Sequence, residues 1–334
     1  MASNKEKNSY DLVIIGAGGT GLAAGMYAGR LGLKTLSLGA TFGAELPIGG
    51  VITTTHLVEN YPGFLSISGV ELAQKLEEHA RAYKIDIQEE KVVKIEKNSQ
   101  GFMVKTEKNA YLSKTIIYTA GTKLKKLGAP GEDKYANKGV SYCVLCDGPL
   151  FKGKNVAIIG GSDSATKESL LLAEYAKKVY IIARGDALRA EPINLERAKG
   201  NKKIEIVTGM NVKEIRGKEF VTSLVLDKPY QRKTELPVDG VFVAIGHIPL
   251  SGLAREAGVQ VNEKGEVIVD KESKTNVPGF FAAGDVVDSE FKQLITGVGE
   301  AVKAAYHAYK HVQGEVIHPV DDMYHTTAVS QEKK

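Results

Sequence analysis

The apolar residues of this chain recur in two patterns: short unbroken runs that stop at a glycine, and stripes at helical spacing. Tyr10-Asp11-Leu12-Val13-Ile14-Ile15 is such a run, and it predicts a strand buried on both faces of a parallel sheet. It enters Gly16-Ala17-Gly18-Gly19-Thr20-Gly21, and a helix is expected from there through about Leu31. Thr35-Leu36-Ser37-Leu38 reads as the second strand. Residues 40–64 then form a long connection holding Gly49-Gly50-Val51-Ile52-Thr53-Thr54-Thr55 and Glu59-Asn60-Tyr61-Pro62-Gly63. A connection of that length points to a site lining. Val70, Leu72, Ala73, Leu76 and Ala80 predict an amphipathic helix over 69–83. Short strands are expected over 86–88, 92–95, 102–105 and 111–112, and a separate buried strand over 115–121, ending at Gly121. At Asn155 the pattern restarts. A strand over 155–159 leads into Gly160-Gly161-Ser162-Asp163-Ser164-Ala165, a helix to about Tyr175 and a strand over 179–182. Val241 to Gly246 closes this block. A strand over 279–285 ends in Asp285, and a helix runs from about Leu294 to Val312. The polar ends, 1–9 and the tail from Gly314, are expected to be loosely held.

Strand, glycine turn and helix in that order make a dinucleotide fingerprint. The first glycine permits the tight turn, the second lets a pyrophosphate approach the backbone, and the third lets helix and strand pack closely. Gly16, Gly18 and Gly21 supply all three. The restart supplies a second fingerprint of the form GxSxxA, with Gly160, Ser162 and Ala165. The expected fold is therefore α/β, with two Rossmann-like nucleotide-binding domains of three-layer ββα/βαβ build, the second inserted into the first. The first domain takes 1–122 and 248–315, the second 123–247, and 316–334 is a tail. An acid that would hold an adenosine ribose belongs about twenty residues past the first fingerprint. None stands there, and Glu45 is the nearest.

Composition narrows the function. The 334 residues are 43% hydrophobic with 36 glycines, as expected for an α/β protein of two domains. Charge is nearly balanced, 44 basic against 40 acidic residues, and no long basic run suggests nucleic acid or a membrane surface. No apolar stretch reaches the roughly eighteen residues a membrane helix needs, and the N-terminus lacks an apolar signal core, which points to the cytosol. Both cysteines lie in Cys143-Val144-Leu145-Cys146-Asp147-Gly148. Such a pair closes a small disulfide ring or shares a metal. A structural zinc needs four ligands, and no further cysteine exists, so no metal is expected. Asp147 is placed to exchange a proton with a thiolate, or to cap a helix.

Taken jointly and in order, GAGGTG, GGVITTTHLVENYPG, CVLCDG, GGSDSA, VFVAIGHIP and FFAAGDV with KQL resemble the low-molecular-weight thioredoxin reductases of the pyridine nucleotide–disulfide oxidoreductase group. The resemblance runs from about Asp11 to Val312. It implies FAD in the split domain and NADPH in the inserted one. Gly16, Gly18, Gly19, Thr20 and Gly21 would take the FAD pyrophosphate. Gly49, Gly50 and Asn60 would lie along the flavin, with Gly121 nearby, and Asp285 would take the ribityl chain. Lys292-Gln293-Leu294 stands where the family has Arg-Gln-Ala beside the isoalloxazine. Cys146 would face the flavin, Cys143 would attack a partner disulfide, and Asp147 would protonate the leaving thiolate. The implied partner is thioredoxin or a glutaredoxin-like dithiol protein, and the implied assembly a homodimer. A rotation between the domains, with hinges near 121–123 and 246–247, is also implied. Gly160, Ser162, Asp163, Ser164 and Ala165 would face the nicotinamide nucleotide. The chain departs from the family here. Ser162 replaces a glycine and is expected to crowd the pyrophosphate, and the phosphate-gripping run keeps only Arg184 and Arg189, with Ala183 and Gly185 between and before them. The donor is thus left open between NADPH, NADH and another reductant such as reduced ferredoxin or a deazaflavin.

Overall fold

The computed structural model describes residues 8–39, 47–55 and 57–314. Glu45, His56 and the 316–334 tail lie outside the described residues. Two compact units are present, one taking the chain through 53, 57–122 and from 249 on, the other 54–56 and 123–248.

The first unit is built on β1 (Ser9–Ile15), α1 (Gly19–Arg30) and β2 (Thr35–Leu38). The unbroken apolar run of β1 is explained by cover on both faces of its sheet: Leu12 and Ile14 pack with Ala23, Ala24 and Ala28 of α1, Val13 packs into a second apolar cluster, and none of the three is exposed. Each such side chain contributes about 1.5–3 kcal/mol on burial, enough to override any local preference. A 3₁₀ turn (Gly50–Thr54) and α2 (Gly69–Ala82), capped by Ser68, follow. Then come β3 (Asp86–Gln88), β4 (Val92–Asn98), β5 (Gly101–Thr106) and β6 (Ala110–Tyr118). The two separate strands expected over 111–112 and 115–121 are one strand. Its burial alternates over its first half, which pairs antiparallel with β5, and is continuous over 115–118, which pairs parallel with β1 and with β17 (Phe280–Ala282). The change of partner changes the pattern, not the strand. The sheet order is β3-β2-β1-β6-β5-β4.

β7 (Thr122–Leu124) and β16 (His247–Pro249) lie at the two crossings between units. Inside the second unit, β8 (Val140–Ser141) precedes the four-residue α3 (Val144–Asp147). β9 (Asn155–Ile159), α4 (Asp163–Tyr175) and β10 (Lys178–Ile182) repeat the Rossmann unit. The pattern reading missed α5 (Pro192–Gly200), β11 (Ile204–Val207) and the antiparallel sheet of β12 (Val212–Gly217), β13 (Val221–Tyr230) and β14 (Lys233–Pro237). Buried Leu224, Leu226 and Leu236 were its available signal. β15 (Gly240–Val243) completes a parallel sheet of order β11-β10-β9-β15-β8. Returning to the first unit, α6 (Gly252–Glu256) and β17 (Phe280–Ala282) lead to α7 (Leu294–Val312), the helix expected over those residues.

Candidate functional site

In the first unit the fingerprint glycines are spent in different ways. Gly16 has φ +113°, and a Cβ there would stand 2.3 Å from the Thr119 carbonyl oxygen. A Cβ on Gly21 would stand 1.8 Å from the Gly16 carbonyl oxygen. Both glycines serve the close crossing of α1, β1 and the end of β6. Gly18 differs. Its backbone is ordinary, φ −70° and ψ 176°, and a Cβ would meet nothing closer than the Gly49 carbonyl oxygen at 3.7 Å. Among the described residues a methyl group on Gly18 would make only ordinary contacts, with Gly49 O and with Gly50 Cα at 3.9 Å. The 49–50 strap is tied to it: Gly49 N donates to Ala17 O at 2.8 Å and Gly19 N to Gly49 O at 2.9 Å.

A second helix N-terminus converges on this turn. Cβ positions on Gly19, Gly284 and Gly297 would clash with Leu294, Thr20 and Thr20 respectively, so the starts of α1 and α7 press together around Thr20. α7 is capped by a reciprocal box between Gln293 and Thr296, and Gln293 Oε1 also accepts Asn60 Nδ2 at 3.1 Å. Asp285 sits half-buried where β17 ends, and its carboxylate has no hydrogen bond or ion pair to the described residues. Glu300 holds the preceding turn through Gly284 N at 2.8 Å, and burial pushes its carboxyl above the usual range. Gly121, φ +66°, follows the end of β6. Lys292 does not project freely. Its ammonium donates to the carbonyls of Asp285 and Val287 and pairs with Glu266 at 2.9 Å. Gly16, Gly18, Gly19, Thr20, Gly21, Gly49, Gly50, Asn60, Gly121, Asp285 and Gln293 are thus all parts of one unit, and Gly16 and Gly121 follow the carboxyl ends of β1 and β6, where open α/β sheets take their ligands.

In the second unit Gly160, φ +154°, takes the tight turn, and a Cβ would stand 2.1 Å from Ala244 O. Ala165 is buried where the third fingerprint position must be small. Ser162 caps α4, its Oγ accepting Ala165 N at 3.4 Å. Asp163 is committed to its neighbours, Oδ1 accepting Glu191 N and Asn194 Nδ2. Ser164 is exposed. Ala183 is buried against Gly161, whereas Arg184 and Arg189 are exposed with no carboxylate partner among the described residues. Glu168, also on α4, was not singled out by pattern, and burial pushes its carboxyl up to about 7.

The cysteines of the same unit form a disulfide, Cys143–Cys146, with Cα atoms 5.3 Å apart. Among the described residues no cluster of metal-ligating side chains occurs. Cys143 caps α3, its Sγ accepting Cys146 N at 3.1 Å; it is half-buried, and Cys146 is exposed. Asp147 makes no capping hydrogen bond to the 3₁₀ turn that follows (Gly148–Phe151), so the capping alternative is not what the structure shows. Its Oδ2 instead accepts the Ser141 hydroxyl at 2.6 Å. Beside Cys143, the Tyr142 hydroxyl donates to Glu132 at 2.6 Å; Glu132 is only 2% exposed and also accepts the amides of Leu127 and Gly128. Ser141, Tyr142 and Glu132 carry no sequence motif of their own, and only their fold neighbours reveal them.

Residues 10–309 match the family model described as pyridine nucleotide-disulphide oxidoreductase. The chain is 38% identical over 311 residues to a thioredoxin reductase of Bacillus subtilis (strain 168), covering 92% of this chain and 96% of that one. Its fold is similar to the crystal structure of Lactococcus lactis thioredoxin reductase, with TM-score 0.86, 36% identity and coverage of 91% and 99%. It is also similar to that of T. acidophilum thioredoxin reductase, with TM-score 0.84, 38% identity and coverage of 91% and 98%. The chain belongs to the pyridine nucleotide-disulphide oxidoreductase family, in its branch of low-molecular-weight thioredoxin reductases, flavoenzymes that carry FAD and use NADPH.

Proposed function

We propose that this protein passes an electron pair from NADPH through FAD to the Cys143–Cys146 disulfide, and from there to the disulfide of thioredoxin or a glutaredoxin-like dithiol protein. One observation carries the reading: a redox-capable CxxC pair opens a short helix with a carboxylate hydrogen-bonded at its end, in a unit that also holds a dinucleotide fingerprint.

The residues of the first unit fit FAD. Among the described residues, Gly18 would make only ordinary contacts if it carried a methyl group, beside two helix N-termini, and the Asp285 carboxylate has no partner. Gly16, Gly18, Gly19, Thr20 and Gly21 would hold the pyrophosphate, where backbone amides and the α1 dipole favour negative charge. Asp285 would hold the ribityl hydroxyls, and Gly49, Gly50, Asn60, Gly121, Gln293 and Leu294 would bound the ring. Lys292, engaged with two carbonyls and Glu266, would act by fixing the 285–292 turn. When bound, FAD accepts a hydride equivalent and delivers the electron pair to a disulfide. In the second unit Gly160, Ser162, Asp163, Ser164 and Ala165 would border the NADPH pyrophosphate, and Arg184 and Arg189 would take the 2′-phosphate, as two unpaired guanidiniums suit. A reduced Cys143 keeps the Cys146 amide as a donor to its thiolate, and Asp147 supplies and reclaims the proton of the exchange. The first domain is proposed to take 1–122 and 248–315 and the second 123–247, with 316–334 a tail, and a cytosolic homodimer is the setting proposed. Among the described residues no helix is long and apolar enough to cross a membrane.

The test is oxidation of NADPH by the purified flavoprotein with thioredoxin present. Turnover is expected, C143S should abolish it, and R184S/R189S should raise the KM for NADPH at least tenfold while leaving that for NADH within about twofold. Absence of thioredoxin-dependent NADPH oxidation in the FAD-loaded wild type would refute the proposal.

A further inference from the structure

Ser141 is buried at the end of β8, whose pairing with β15 at Val241↔Val140 and Phe242↔Ser141 anchors it at the edge of the unit's parallel sheet. Its hydroxyl touches both ends of α3. It accepts the amide of Cys143 at 3.1 Å and donates to Asp147 Oδ2 at 2.6 Å. The Cys143 carbonyl lies further off, at 3.3 Å, so the single hydroxyl proton belongs to the carboxylate. A bond this short from O–H to a carboxyl oxygen is directional as well as strong. With Oδ2 accepting, the acidic proton of a protonated Asp147 is favoured on Oδ1, because the carbonyl-type oxygen is the better acceptor, and Oδ1 has no hydrogen bond to the described residues. The rigid sheet thereby selects which oxygen carries the proton, and the same hydroxyl tethers the cysteine whose reaction needs it.

We propose that Ser141 is a positioning residue for thiol–disulfide exchange, holding Asp147 so that Oδ1 delivers its proton to the departing sulfur of the partner. The inference rests on the function proposed above. In the step, the Cys143 thiolate bonds to one sulfur of the partner disulfide and the partner S–S bond breaks. The electron pair leaves on the second partner sulfur, which takes the Asp147 proton. Cys146 then gives its own proton to the Asp147 carboxylate and attacks Cys143. The Cys143–Cys146 disulfide reforms and the first partner sulfur departs as a thiolate. Two electrons pass from the dithiol to the partner, and Asp147 ends as it began.

The chemistry of the leaving sulfur provides the test. An aromatic nitrobenzoate disulfide releases a thiolate that is stable without a proton, whereas oxidised glutathione releases an alkyl thiolate that benefits from one. The holoprotein is reduced with dithiothreitol, desalted without oxygen and mixed with each disulfide, and exchange is followed by stopped flow. S141A is expected to slow exchange with oxidised glutathione about tenfold and to change the nitrobenzoate reaction by less than about twofold; S141T should restore the rate. D147N should slow the glutathione reaction more, about a hundredfold, and adding S141A to it should cost nothing further. Equal slowing with both disulfides, or further slowing of D147N by S141A, would overturn the inference, because the serine would then act on the fold and not through Asp147. A wild-type glutathione rate in D147N would remove the acid role itself, and the positioning role with it.

Discussion

The glycine at position 18 separates what the fold needs from what a ligand needs. Its φ and ψ suit any residue, and an added Cβ would find its nearest neighbour at an ordinary 3.7 Å. An alanine here therefore costs the apo fold nothing, and by restricting the unfolded chain it stabilises by about 0.4–1 kcal/mol. If the FAD pyrophosphate passes over this backbone, however, the methyl group displaces it. Overpacking a rigid contact costs about 1–3 kcal/mol, or roughly 5- to 150-fold in Kd. Gly21 is the control. A Cβ at 1.8 Å from Gly16 O and 2.8 Å from Thr119 Oγ1 overlaps backbone that has nowhere to go, so the start of α1 must shift from β1. G21A should thus lose stability and FAD together, and G18A should lose FAD alone. Urea unfolding of the apoproteins, read by circular dichroism, gives the first quantity, and flavin fluorescence on titrating FAD into them gives the second. FAD binding to G18A at the wild-type Kd, or apo G18A unfolding as early as G21A, would refute the claim that Gly18 is kept small for the dinucleotide.

Two further outcomes follow from carboxyl groups of the second unit, Glu132 buried and Glu168 half-buried. E132A leaves the half-buried Leu127 amide and Tyr142 phenol and the exposed Gly128 amide without their acceptor, and should destabilise the second unit by about 1–3 kcal/mol in urea unfolding, against about 1 kcal/mol for Y142F. Equal midpoints for E132A and wild type would refute it. Glu168 has its carboxyl raised by burial from 4.5 to about 7, so it binds its proton more tightly when folded. Its stabilising contribution is full below about 4.5 and is lost as pH rises through about 7. The melting temperature of E168Q should therefore gain on that of wild type between pH 5 and pH 8, and a constant difference would count against the burial of this group.

Much of the site is legible in the amino-acid sequence. The unbroken run of Leu12 to Ile15, the glycines after it, the restart at Asn155 and the stripe of 294–312 each express a local rule: period sets the buried face, and glycine marks a turn that side chains cannot make. The CxxCDG segment was legible for the same reason, since its chemistry needs residues only a few positions apart. Even local pattern misled where a strand changed partners. Tyr111 and Thr115 seemed to belong to different strands because β6 meets β5 along one half and β17 along the other.

The amino-acid sequence by itself determined the fold class, the two fingerprints and the redox pair. Only the tertiary structure decided how individual groups are used. It turned Lys292 onto two carbonyls and Glu266, joined Asn60 to Gln293 across 233 positions, pressed Thr20 against Gly284 and Gly297, and gave Asp147 to Ser141 instead of to a helix cap. The physical reason is that periodicity records which face of an element is buried, whereas a hydrogen bond depends on which distant backbone arrives opposite that face. That meeting is set by the packing of whole sheets and helices, and no window along the chain contains it.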